Sequence, residues 1–145
     1  MDVSKLAGFG SKLEFTLRFL ILPVAWILIN DLLVMVARVT NIEALDPMND
    51  SEELVAKPNN VLRNSIEQLI LTIGAQLSLA SYLNAADVAK IIPLLNLTWL
   101  LGRIFYFIGY PSYRTFGFTL TFFPSAAAVV FALYKFVATT FLTPL

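Results

Sequence analysis

The sequence predicts an all-α integral membrane protein, a single domain over residues 1–145 in which four helices form a bundle. Of its 145 residues 58% are hydrophobic and 14% charged, with a mean hydropathy of +0.76, whereas a soluble domain is only about 45 to 50% apolar. The apolar residues also gather into four runs, each of roughly the 20 residues that a helix needs to cross the hydrocarbon core. Ten basic and ten acidic residues cancel. No lysine- or arginine-rich block stands out, so the expected surroundings are membrane lipid and nucleic acid is excluded as a partner.

The first span is expected over residues 15–37, interrupted by Arg18, Pro23 and the pair Asn30 and Asp31. It is too long, and too polar in its second half, for a signal-peptide core, and no small-residue cleavage site follows it. It therefore reads as a retained helix. The residues before it, 1–12, contain Gly8 and Gly10 and are expected to be loose, as chain ends are unless docked. Asp31 either meets an arginine inside the bundle or sits at the membrane interface, the reading favoured by the nearness of Arg38.

A polar stretch over 41–60 follows, with Glu43, Asp46, Asp50, Glu52, Glu53, Pro47 and Pro58. Acids and prolines end helices and favour water, so this is an extramembrane loop, with a short helix expected near 51–55. The second span, 61–83, carries a stripe at three-four spacing: Asn60, Asn64, Glu67, Leu71, Gly74, Ser78 and Ser81. Its small members favour close helix packing in lipid. Glu67 is an ionisable group inside a span; it either pairs with Arg63, Arg103 or Arg114 or belongs to a ligand site.

The third span, 88–110, and the fourth, 116–141, are joined by a short turn near 109–113, and another turn near 84–87 precedes the third. Lys5, Lys12, Arg18 and Lys90 then share one membrane face and Arg38, Lys57, Arg63 and Arg114 the other. This balance leaves orientation undecided by the positive-inside rule. In the third span Arg103, Tyr106 and Tyr110 fall at i, i+3 and i+7. One side of an otherwise lipid-soluble helix thus carries a cation and two phenols. A charged group there belongs in a bundle interior or a wet pocket. Tyr110 reads equally as an interfacial anchor, while Trp99, Phe105 and Phe107 face lipid or neighbouring helices.

Cysteine and histidine are absent. That removes disulfides, thiol nucleophiles, imidazole bases and Cys/His metal sites, and no metal is expected. Any chemistry must use hydroxyls, carboxylates, amides and guanidiniums, or arrive with a bound reagent.

Two segments, VLRNSIEQLIL at 61–71 and GRIFYFIGYPSYRTFGFTLTFFP at 102–124, resemble the MAPEG family, the membrane-associated proteins in eicosanoid and glutathione metabolism. The departures, Asn60 where better-known eukaryotic members have arginine and the lack of a proline soon after Glu67, bring the resemblance closest to the divergent, bacterial-like branch. The resemblance implies a left-handed four-helix bundle assembled as a homotrimer, with glutathione as co-substrate between subunits and an apolar electrophile as second substrate. By motif it assigns Asn64 and Glu67 on the second helix, and Arg103 and Tyr110 on the third, to glutathione binding; Tyr106, whose phenol can donate a hydrogen bond to a polar ligand, is counted with them. Arg114 becomes the catalytic residue that promotes thiolate formation, with Thr115 where some relatives have serine.

The expected function is a glutathione-dependent transferase or peroxidase. The alternative is a noncatalytic membrane scaffold or accessory subunit, held with other membrane-protein subunits. A transporter fits less well, since four spans without an internal repeat form no evident ion relay.

Overall fold

The computed structural model describes residues 6, 8–41 and 53–142. Four helices run through them: α1 (Phe9–Thr40), α2 (Glu53–Tyr82), α3 (Ala85–Gly109) and α4 (Arg114–Val137), the last continuing as a π-helical turn over Ala138–Leu142. Helix α1 packs on α2 and α3, and α4 on α3 and α2, so the cyclic order around the bundle is α1, α2, α4, α3. Short connections make α2, α3 and α4 successively antiparallel. The four-helix membrane bundle expected from the sequence is the fold observed.

Three of the helical stretches, Phe9–Thr40, Ala85–Gly109 and Arg114–Phe141, are long and apolar enough to cross a membrane. Helix α2 is as long but carries Asn60, Arg63, Asn64, Glu67, Gln68 and Gln76. Its polar groups turn toward the other helices or toward a cleft beside α4. The protein is an integral, multi-pass membrane protein.

The first two helices begin earlier than the sequence pattern indicates, and α1 also ends later. Residues 9–12, expected to be loose, are the first turn of α1. They are docked: the Lys12 ammonium donates to the Leu83 carbonyl (2.9 Å), and Leu6 joins a core cluster with Phe15, Leu79, Val88 and Ile92. Likewise α2 starts at Glu53, so residues 53–60 are helix rather than loop, and Val55 is buried. Pro58 lies early in α2, where it forfeits a single backbone hydrogen bond. The remainder of the expected 51–55 helix, residues 51 and 52, lies outside the described residues.

Helix α3 is capped by Asn84, whose side-chain oxygen accepts from the Asp87 backbone N–H (2.9 Å) while its amide donates back to the Asp87 carboxylate (2.8 Å). Such a cap stabilises a helix by about 1 kcal/mol. At the other end of α3 the Tyr110–Pro111 peptide is cis and the Tyr113 N–H bonds the Gly109 carbonyl.

Inside the bundle the core changes character along the membrane normal. The apolar cluster fills the end nearest the α2–α3 turn. Toward the opposite end come polar rungs: Asn96 with Gln76 (2.7 Å), Thr72 with Ser125 (2.9 Å), then Arg103 with Asn64 and Thr121. In lipid the helices gain little from burying apolar surface, so close packing and such interhelical hydrogen bonds hold them together.

The tightest packing is between α3 and α4. A Cβ on Gly102 would lie 2.2 Å from the Thr121 hydroxyl, and one on Gly117 would lie 2.2 Å from the Tyr106 nitrogen. Only glycine lets the two backbones meet there, and that contact fixes where Arg103 and Tyr106 stand relative to α4. Gly74 differs, since a Cβ there would meet nothing within 4 Å. The Gly74–Ser78 stripe therefore does not pack against another helix of its own chain but lines an outward groove between α2 and α4.

At the polar end the helices finish at different levels. Asn60 is level with Tyr110 through a hydrogen bond, and α2 begins about 10 Å further out at 1.5 Å per residue. Trp26 meets Phe107 edge-on, and α1 continues past it by about 21 Å, to Thr40. Helices α1 and α2 thus stand proud of the α3–α4 turn.

Candidate functional site

The polar end of the bundle holds a cleft open on the α2–α4 side. Two adjoining cavities of about 280 and 320 Å³ make it up, sharing Asn64, Tyr106 and Arg114. Asn60, Arg63, Glu67 and Tyr110 complete one of them, Thr115 and Phe118 the other. The 3.6-residue repeat explains the lining, because Asn60, Asn64 and Glu67 occupy one side of α2 as Tyr106 and Tyr110 occupy one side of α3. Arg114, the first residue of α4, sits at the mouth.

Within the cleft the Asn60 amide donates to the Tyr110 hydroxyl (3.0 Å). Arg63 and Glu67 form a pair at 3.4 Å, with side chains 81% and 56% exposed. A pair so exposed contributes little to stability and is free to rearrange around a ligand. The Arg114 guanidinium is exposed and stacks over the Tyr110 ring, 5.6 Å from its centroid. Among the described residues no carboxylate forms an ion pair with it.

Arg103 has the opposite environment. It is 0% exposed and lies beneath the cleft rather than in its wall. Its Nη1 donates to Asn64 Oδ1 (2.8 Å) and its Nε to Thr121 Oγ1 (3.1 Å), and its guanidinium lies 4.8 Å from the Tyr106 ring centroid. The Thr121 hydroxyl in turn donates a hydrogen bond to the Gly117 carbonyl (3.0 Å). Arg103 thus ties α2, α3 and α4 together and sets the orientation of Asn64. Aromatic faces and neutral oxygens are its surroundings, and Nη2 has no hydrogen-bond partner.

Of the residues singled out from sequence, Asn64, Glu67, Tyr106, Tyr110 and Arg114 converge on the cleft, and Arg103 supports it from below. Sequence reasoning missed Thr121 and the Gly102–Gly117 contact, which position Arg103, and the Asn96–Gln76 pair. Asn96 was within reach of the pattern, for Asn96, Trp99, Arg103, Tyr106 and Tyr110 continue one three-four stripe. Asn60 joins the cleft as a partner of Tyr110 in place of the basic residue that the resemblance led one to look for. Asp31 is exposed on α1 while its neighbour Asn30 is buried, which excludes the reading in which Asp31 meets an arginine inside its own bundle. Among the described residues no group of three or more carboxylates comes together to hold a metal.

The model of one family, described as MAPEG, matches residues 16–134. The chain belongs to the MAPEG family. The match takes in α3, most of α1 and α4 and all of α2, hence every residue of the cleft. A curated relative, mouse Transmembrane protein 79, is 30% identical over 139 residues, covering 92% of this chain and 34% of that protein. The chain therefore spans about a third of the relative's length. No solved structure matches it. For a MAPEG protein the cleft is the part of the molecule where polar chemistry is available at the edge of the bilayer.

Proposed function

We propose that this MAPEG protein is a glutathione-dependent transferase or peroxidase acting on apolar electrophiles. The observation that carries the reading is Arg114, an exposed guanidinium with no carboxylate partner among the described residues, at the mouth of a cleft that also holds Arg63, Asn64, Glu67 and Tyr106. Glutathione offers two carboxylates, an ammonium, two amides and a thiol. The cleft answers with two guanidiniums, a carboxylate, two amides and two phenols, a fit in both charge and hydrogen bonding. In this reading Arg63 takes a carboxylate, Glu67 the ammonium, and Asn64, Tyr106 and Tyr110 the remaining polar groups.

Arg114 faces the sulfur. A cation beside a thiol favours its charged form and lowers its pKa, which raises the thiolate fraction at neutral pH. The thiol proton leaves to water, the thiolate lone pair forms the bond to the electrophilic carbon, and the displaced group departs with its electron pair. The apolar electrophile enters from the bilayer through the open α2–α4 side. Arg103 is a positioning residue here: it holds Asn64 and stacks on Tyr106 without touching the ligand.

Equilibrium binding of labelled glutathione to the purified protein in mild detergent, scanned to millimolar concentration, tests this. Saturable binding is expected, weakened about tenfold or more, equivalent to about 1.4 kcal/mol, in Arg114→Ala. No binding at any concentration, or unchanged binding in that variant, removes the proposal.

A second reading is supported by the Asn60–Tyr110 and Arg63–Glu67 contacts, which let the cleft's polar groups satisfy one another. In that case the chain is a noncatalytic scaffold or accessory subunit. It then co-purifies with a larger membrane assembly and binds no glutathione.

A further inference from the structure

The α3–α4 pair changes its spacing along its length. At Gly102 and Gly117 the two backbones touch. Further from the cleft the interface is made of larger side chains, which hold helix axes apart. There Ile91 and Leu95 of α3 and Phe131 of α4 wall a cavity of about 340 Å³. Leu79 of α2 and Ala128, both buried, form its floor, and the exposed Ala127 stands at its entrance. Every lining residue is apolar, and none of them lines the α2–α4 groove. The space suits a hydrocarbon.

Two cations stand at one end of it. The half-buried Lys135 places its ammonium 5.7 Å from the centroid of the Phe131 ring, a wall of the cavity. Lys90, next to Ile91 on α3, is exposed. Gly102 is level with Thr121; Lys90 lies about 18 Å from that level along α3 and Lys135 about 21 Å along α4, so the two lysines share one depth. Neither forms an ion pair among the described residues. Helix α4 has no carboxylate, and the single one on α3, Asp87, accepts from the Asn84 amide (2.8 Å).

Depth identifies the hydrocarbon. Lys135 lies about 32 Å along α4 from Arg114, close to the roughly 30 Å of the hydrocarbon core, so it stands at the membrane face opposite the cleft. The exposed Tyr134 beside it suits that interface. Pro124, which also lines the cavity, is about 17 Å short of Lys135 and hence near the midplane. The cavity therefore runs through one leaflet, from headgroup level to bilayer centre.

We propose that this cavity takes one acyl chain of an anionic phospholipid from the surrounding leaflet, with the lipid phosphate held at the rim by Lys90 and Lys135. The phosphate oxygens accept charge-assisted hydrogen bonds from both ammoniums. A phosphocholine headgroup would bring its own cation to the same rim, so the anionic lipid is preferred. Because the lipid binds only where α3 and α4 stand in their native arrangement, it stabilises the pair by mass action. The site is separate from the glutathione reading, with the thickness of the bilayer between them.

The test uses the whole chain in mild detergent and phosphatidylglycerol with a photoreactive diazirine near the end of one acyl chain. Labelled positions are mapped by mass spectrometry after irradiation. Insertion is expected within residues 91–95 and 124–131. Lys135→Gln is expected to weaken it by about fivefold, the worth of one lysine beside an anionic headgroup, and phosphatidylcholine of the same chains to label at least that much less. Ala127→Phe fills the cavity from its exposed side and is expected to abolish the labelling at unchanged helix content by circular dichroism. Even labelling of all exposed helix faces, equal labelling by phosphatidylcholine, or full labelling in either variant overturns the proposal. Labelling of the same residues by a photoreactive fatty acid but not by the phospholipid does so too. Lys135→Gln alters only the rim, so it decides the matter even where Ala127→Phe fails to fold.

Discussion

Arg103 and Arg114 carry the same guanidinium into opposite surroundings, one sealed between three helices and one open at the cleft mouth. Their substitutions should therefore separate stability from binding. Replacing Arg103 by alanine leaves the Asn64 and Thr121 oxygens without their donor and opens a cavity, at a cost of about 2 to 5 kcal/mol. Arg103→Met keeps most of the volume, so its thermal midpoint in detergent should fall less than that of Arg103→Ala. Equal losses in both would show that hydrogen bonding alone sets the effect. Arg114→Ala should leave the midpoint within the small range of surface changes.

At the level of elements, the α3–α4 crossing depends on Gly102 and Gly117, since a methyl group at either would collide with the facing helix. Gly117→Ala should destabilise by about 1 to 3 kcal/mol, the usual cost of overpacking. Thermal denaturation would detect it, and a neutral result would mean that the helices part easily. Much of this architecture was readable in the sequence. Span lengths and the three-four stripes on α2 and α3 sufficed for four helices and for most of the cleft. The glycine contact was not readable, because hydropathy does not reveal which small residue faces backbone and which faces open space. Gly74 and Gly117 look alike in sequence and stand in opposite environments. The early start of α2 was hidden for a related reason, since Pro58 and the acids before it signal a loop while Val55 and the Lys57–Phe107 contact (5.3 Å) hold a helix.

For the whole molecule, α1 is the least buried helix, with only Phe15, Thr16, Leu20, Pro23, Asn30 and Val34 fully buried by its own chain. Its exposed surface meets either lipid or another copy. If the homotrimer implied by the family resemblance seats a neighbouring copy in the groove beside Gly74, Gly74→Leu should fill it without disturbing the single chain. Light scattering in detergent should then show smaller particles at unchanged helix content. Particles of unchanged mass would mean that the groove belongs to lipid.

The unequal helix ends give the cleft a terrace. Helices α1 and α2 rise beside it as a parapet while the α3–α4 turn stays low, leaving a ledge at the aqueous rim. An ion resting on that ledge can exchange its proton directly with the surrounding water. No relay of titratable side chains through the bilayer is required, in keeping with a chain that has no histidine.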